Sequence, residues 1–350
     1  MKIVYYLYLL IVILVLLKRI YKFALMKRRL ILLLFQITFM FDVSSQTSSV
    51  LSNGNWYEIT TNKNGIYRLT YSDLQSLGVS AFNLQNSTIK LYGNGGGMLP
   101  KLNSDFRYSD LTENAIKIYD SNNNGFFDSG DYILFYGMSA NVWRFNDNTN
   151  LFEHETHLFS DEVSYFLTIN NQSIGKRVDK KELLHNPTKT ITSYNAYAYH
   201  EEELENLIQS GNKWFGERFS YDNTQSFAFS FPNLIQSDPI DIQVDVVARS
   251  LQSSSFNIDV NTSFLTNLSV PAVSSAYAQE YAKEASATTQ YLANTSNLNI
   301  NLEYISSDNA AEGWLNSIQI NAKRKIKLSG NYFNFRNVES LGNEIGEYKI

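Results

Sequence analysis

The sequence contains no cysteine. That excludes a disulfide framework, thiolate metal sites and a cysteine nucleophile among these 350 residues. Histidine is scarce too, with four in all and none in a zinc-like spacing, so no metallohydrolase site is visible. No apolar run reaches the roughly 18 residues expected of a membrane-spanning helix. Positive charge is thin outside the N-terminus. The first 45 residues hold seven Lys or Arg and one Asp, which leaves 22 basic against 33 acidic residues, a net −11. So acidic a body argues against nucleic acid as a partner.

What is present is aromatic and β-prone. Hydrophobic residues make up 44% and aromatics 14%, which separates the chain from disordered polymers. Tyr and Phe dominate, beside many Ser, Thr and Asn, a mixture that suits β-rich exported proteins. The length allows two domains, each with its own core.

The N-terminus reads as a signal or targeting segment over residues 1–45. An apolar run from Ile3 to Leu17 is followed by Lys18, Arg19 and Lys22. A second unit opens at Met26 with Lys27-Arg28-Arg29, continues as the apolar run Leu30 to Phe41 and closes on Val43-Ser44-Ser45. Basic, apolar and small-residue regions in that order are those of a secretory signal. The true start is expected at Met26, with cleavage near Ser45 and export of the remainder.

The most specific local pattern is Asp120 to Asp131, between two strand-like flanks. Counted from Asp120, oxygen-bearing side chains fall at positions one, three, five, nine and twelve: Asp120, Asn122, Asn124, Asp128 and Asp131. Gly125 stands at position six, and Phe126 would lend its carbonyl at position seven. This is the register in which alternate oxygens converge on calcium. The short Asp at position twelve and the neutral Asn at three and five weaken the donor set. Asp, Asn and Gly also favour a plain hairpin turn for local reasons, and both readings stand.

Residues 48–174 read as an N-terminal β-rich domain. Trp56 to Thr60 and Ile66 to Leu69 flank a turn at Lys63-Asn64-Gly65, and Ser72 to Leu77 reads as a short helix with Ser72 as cap and Gly78 as stop. The loop Gly93 to Gly97 lacks the following Lys-Ser/Thr of a phosphate loop, so its glycines point to unusual backbone angles instead. His154 and His157, three apart, would share a face on a helix but not on a strand. Their flanks favour loop or strand, which argues against a metal pair.

Residues 175–212 read as a linker with a short acidic helix, Glu201 to Gln209, whose Glu201-Glu202-Glu203 run would form a solvated face. Residues 213–335 show regular strand signals, with Phe227 to Phe231 and Ile240 to Val247 alternating, and predict a β-sandwich. Ala276 to Ala287 carries Tyr277, Tyr281 and Ala285 at helical spacing and predicts a helical excursion. Residues 336–350 read as the start of further structure. The fold class expected is mainly β: two β-rich domains, the second a sandwich, with few short helices. Trp214 and Trp314 are the candidate platforms for a glycan. Neither a nucleophile–base pair nor a compelling carboxylate constellation is visible, so no catalytic residue is assigned.

Several stretches together resemble the start of PorU-type sortases of the bacterial type IX secretion system. They are Trp56-Tyr57-Glu58-Ile59, Gly65-Ile66-Tyr67-Arg68-Leu69, Leu91-Tyr92-Gly93-Asn94-Gly95-Gly96, Leu99-Pro100 and Asp110-Leu111-Thr112-Glu113-Asn114-Ala115-Ile116. Asp131-Tyr132-Ile133-Leu134-Phe135-Tyr136-Gly137, Ser210-Gly211-Asn212-Lys213-Trp214-Phe215-Gly216-Glu217 and Glu312-Gly313-Trp314-Leu315-Asn316 continue in order. One departure is Asn316, where the family often has Asp.

The resemblance implies surface-associated, gingipain-related cysteine endopeptidases that remove a C-terminal sorting signal from exported cargo and join the cargo to anionic lipopolysaccharide. Their catalytic His and Cys lie downstream of the matched region, so none carries over. The chain is therefore expected to be the non-catalytic N-terminal portion of such a sortase, exported, outer-membrane-associated and exposed at the cell surface. Type IX outer-membrane components and cargo proteins are its expected partners. The alternative is a free-standing secreted module that binds carbohydrate with calcium.

Overall fold

The computed structural model describes Lys18, Arg19, Lys22 and residues 48–80, 83–170, 172–276, 280–328, 333–341 and 345–350. The proposed signal segment lies almost wholly outside the described residues. The chain divides into two compact units, Met1–Asn53 and Gly54–Ile350. Residues 48–53 of the first hold one 3-10 turn, Val50–Ser52.

The second unit is mainly β, as expected. Its first half runs β1 (Trp56–Thr61), β2 (Gly65–Thr70), α1 (Tyr71–Ser76), β3 (Ile89–Tyr92), β4 (Glu113–Asn114), β5 (Lys117–Tyr119), β6 (Tyr132–Gly137), β7 (Val142–Asn146), β8 (Leu151–Glu155) and β9 (Val163–Ile169). Two sheets, ordered β1-β9-β3-β4 and β2-β6-β5, share one core. Ile89, Leu91, Ile133, Phe135, Tyr165 and Leu167 come from alternate strand positions and fill it. β7 and β8 form a separate hairpin. The glycine-rich loop after β3 is steric in purpose. A Cβ on Gly96 would sit 1.8 Å from the Ser139 carbonyl oxygen, so only glycine lets the two backbones pass.

The second half runs β10 (Lys189–Ile191), β11 (Ser193–His200), β12 (Arg218–Phe219), β13 (Thr224–Ser230), β14 (Ile240–Arg249), β15 (Ser254–Val260), β16 (Ser263–Val270), β17 (Lys283–Tyr291), β18 (Asn297–Ser306), β19 (Glu312–Lys325) and β20 (Gly346–Tyr348). A sheet ordered β11-β19-β14-β17, with β12 on β19, faces a sheet ordered β13-β18-β15-β16 across one large core. β14 shows how the sequence builds it. Ile240, Ile242, Val244 and Val246 alternate with polar residues and are almost fully buried. Each such side chain removed from water contributes about 1.5–3 kcal/mol. β10 and β20 pair in parallel beside this core.

Four local expectations are corrected. The cap of α1 is Thr70, not Ser72: Thr70 Oγ1 accepts from Asp73 N at 3.3 Å, and Asp73 Oδ2 accepts from Thr70 N at 2.7 Å. Lys189–Ile191 and Ser193–His200 are strands, not linker, because the first pairs with β20 and the second along eight residues of β19. Glu201 to Gln209 is not a helix. Leu204 and Glu205 donate backbone N–H to Phe215 O, and that extended pairing outcompetes a helical turn. Nor is Ala276 to Ala287 a helix. Residues 277–279 lie outside the described set, but from Lys283 onward the chain pairs with β14, turning Ala285, Ala287 and Tyr291 toward the core. Tertiary pairing there overrides local propensity.

Candidate functional site

The β7–β8 hairpin does not stand free. It docks on the outer face of the large sheet, where Tyr197 and Tyr199 of β11 lie opposite Asn321 and Gln319 of β19. Alternation sets this face, since the intervening Ile318 and Ile320 are wholly buried. Two side-chain amides then act as a false neighbouring strand. Asn321 Oδ1 accepts from Phe152 N at 2.8 Å, and Asn321 Nδ2 donates to Phe152 O at 2.9 Å. Gln319 Oε1 accepts from His154 N at 2.8 Å. Trp143 stacks on Tyr197 with centroids 4.0 Å apart, and the Arg336 guanidinium lies over both Tyr197 and Phe152.

His154 sits at the centre of this seam, its side chain 1% exposed. Its Nδ1 lies 3.5 Å from Glu201 Oε2, and the Thr156 hydroxyl donates to the same carboxylate oxygen. Its Nε2 is buried without a hydrogen-bond partner among the described residues. Burial alone would raise the Glu201 carboxyl. The His154 ring and the Thr156 hydroxyl outweigh it and hold the group below its ordinary range. Hydroxyl, carboxylate and imidazole thus meet, but the hydroxyl is committed to the carboxylate and no hydroxyl faces Nε2. The cluster is built as a lock between elements, with no group poised to attack a substrate.

Beside the lock opens a cleft of about 450 Å³ lined by Thr156, His157, Phe159, Asp161, Glu203 and Trp214 among others. His157 Nδ1 accepts from Phe159 N at 3.2 Å and Ser160 N at 3.0 Å, which leaves the ring proton on Nε2. The two histidines of β8 and its following loop are therefore occupied separately and form no metal pair. Glu203 is pushed up by burial and then by the neighbouring Glu201 charge. Of the acidic run expected as a solvated helix face, Glu202 and Glu203 do stay exposed, Glu203 on the cleft, while Glu201 turns into the seam.

The two glycan candidates also part. Trp314 is 1% exposed and its Nε1 donates to Glu205 Oε2 at 2.7 Å, so it is a core residue. Trp214 remains 45% exposed on the cleft wall.

The loop after β5 closes on itself and on Asn86, whose Nδ2 donates to Asp120 Oδ2 at 2.9 Å and whose N–H donates to Gly125 O. Asp120 accepts from Asn124 N and Gly125 N at 3.2 and 2.9 Å, Asn122 Oδ1 from Asn124 N at 3.1 Å, and Asn124 Oδ1 from Phe126 N at 2.7 Å. Gly125 takes a φ of +82°, the conformation expected at that turn. Asp131, 2% exposed, accepts from Ser121 N at 2.7 Å and Asp128 N at 3.0 Å. Only Asp128 faces side chains alone, and it takes the amide N–H groups of Asn122 and Asn124 at 3.2 and 2.7 Å. Holding an ion there would require both amides to turn and abandon the backbone groups that their oxygens serve. As arranged, the five residues do not fit a calcium cage, and among the described residues no three His, Cys, Asp or Glu side chains converge as a metal set.

The seam residues Gln319, Asn321, Tyr197 and Tyr199 were not singled out from sequence, and Glu201 was read only as part of a solvated charge run. The signal for them is period-two polarity inside an apolar strand, Ile318-Gln319-Ile320-Asn321, and alternating tyrosines in β11.

No family model matches the chain, and no curated protein matches it. Among solved structures it is similar to dimeric latent PorU from Porphyromonas gingivalis, with a TM-score of 0.66 and 21% identity over 84% of this chain and 26% of that one. The chain thus spans about a quarter of that protein's length, and the likeness shows a PorU-like fold. A carbohydrate-binding module of type CBM36, in complex with calcium and xylotriose, also matches at a TM-score of 0.23 and 11% identity, over 37% of this chain and 99% of that one. That likeness is too slight to bear on the site.

Proposed function

We propose that this chain is a non-catalytic support region of a PorU-type sortase, exported and displayed at the outer-membrane surface. Its two β cores would carry a peptidase domain and meet type IX secretion components and their cargo. The observation that supports this reading is the PorU-like fold over 84% of the chain. The docked hairpin fits a support role, since it ties the first core to the second sheet through both backbone and rings. The sequence holds no cysteine, so the nucleophile of a gingipain-type domain is not among its residues. Calcium has no step in this reading, and glycan binding keeps one of its two tryptophans.

The test is recovery of the full chain from the outer-membrane fraction of its own cells, with its co-purifying proteins identified by mass spectrometry. Type IX components and cargo bearing a C-terminal sorting signal are expected. Recovery only from the cytoplasm, or cleavage of a cargo peptide by the purified chain alone, would overturn the proposal.

A further inference from the structure

The cleft beside the seam holds an imbalance that the support role leaves unused. Asp161 and Glu203 line it, and neither has an ion-pair partner among the described residues. No Lys or Arg lines the cleft. The nearest basic residue in sequence, Lys213, turns its ammonium to Glu284 instead. Trp214 forms one wall with nearly half its surface open, and Phe159 is 82% exposed beside it. Elsewhere the fold caps such rings with its own cations: Arg336 covers Tyr197, and Arg249 lies 4.1 Å over Tyr281. Among the described residues Trp214 has no such cap.

From this geometry we infer that the cleft is a receptor for one basic side chain, Lys or Arg, presented by an extended peptide. The cation lies over the Trp214 ring, which attracts positive charge through its π-face. Asp161 and Glu203 supply the counter-charge, bidentate for a guanidinium. The His157 Nε2–H is the donor left for a peptide carbonyl. The elevated Glu203 carboxyl, raised by burial first and then by the Glu201 charge, is one that a cation in the cleft would lower. A neutral sugar would stack on Trp214 equally well, but it would leave both carboxylates uncompensated. The inference rests on these side chains and holds whether or not the chain supports a peptidase.

The experiment is isothermal titration of the full chain with acetyl-Gly-Gly-Arg-Gly-Gly-amide, its Lys analogue and the same peptide with neutral citrulline. Quenching of tryptophan fluorescence is followed in parallel. The basic peptides are expected to bind, the citrulline peptide at least tenfold more weakly, and added salt to weaken only the basic ones. The isosteric pair Asp161→Asn with Glu203→Gln should cost at least tenfold, while Trp214→Ala should abolish the quench with the melting temperature unchanged. Equal binding of the citrulline peptide, no effect of the double variant, no binding of either basic peptide, or titration by xylotriose in their place would each overturn the inference.

Discussion

The rings of His154 and Tyr199 lie face to face, with centroids 3.4 Å apart and planes 20° from parallel. One belongs to the β7–β8 hairpin, which precedes the last strand of the first core, the other to β11 at the edge of the large sheet. That contact, the neighbouring Trp143–Tyr197 stack and three backbone-to-amide hydrogen bonds are what attach the hairpin.

The attachment can be cut one bond type at a time. Asn321→Ala removes both partners of the Phe152 peptide groups and should cost about 1–3 kcal/mol. His154→Ala empties a buried aromatic box and should cost about 3 kcal/mol. Urea midpoints of the two variants and of the double variant provide the check. Because both act on β8, the double variant should lose less than the sum.

Acid should loosen the same seam. The folded Glu201 carboxyl sits below its unfolded value, so its contribution is present above the unfolded pKa and lost as pH falls through the folded one. Melting temperature should fall on acidification below the ordinary glutamate value of about 4.3. In Glu201→Gln that portion of the slope should be missing. Equal slopes in both proteins would remove Glu201 from the account.

The loop of Asp120 to Asp131 should behave as a turn. Asp131→Ala orphans the N–H groups of Ser121 and Asp128 and should lower stability by about 1–3 kcal/mol. Calcium at millimolar concentration should leave the melting temperature of the parent chain where it stands in chelator. A rise of several degrees would show that the Asn122 and Asn124 amides do turn to receive an ion.

Two glycines should respond oppositely in scale. At Gly96 an added methyl meets the Ser139 carbonyl oxygen, so Gly96→Ala should fail to give folded protein or melt far below the parent. At Gly125 an added Cβ meets open space, and the cost is only that of a positive φ, about 1–2 kcal/mol. Circular dichroism melts of the pair separate the two causes.

Much of this was legible in the residues. Strict alternation in Ile240 to Val247 and Phe227 to Phe231 marked strands because one face is buried and the other is not. It failed at Lys283–Tyr291, where Ala, Ser and Thr give little contrast between faces and helical spacing competes. It failed again at 201–209, where Glu201 is drawn in by His154, the Glu205 carboxylate takes the Trp314 N–H, and the backbone of Leu204 and Glu205 pairs with Phe215 in place of a helical turn. Trp214 and Trp314 carry the same side chain, and nothing local says that one is wall and the other core.

The sequence by itself determined the β class, the alternating core positions and the lack of a cysteine nucleophile, because each follows from composition or from neighbours a few residues apart. Only the tertiary structure decided that His154 meets Tyr199, that Glu201 serves the seam, and that Asp161, Glu203 and Trp214 share a cleft. Apart from Glu203 and Trp214, those groups lie more than forty residues from their partners, and only tertiary pairing brings them within reach of one another.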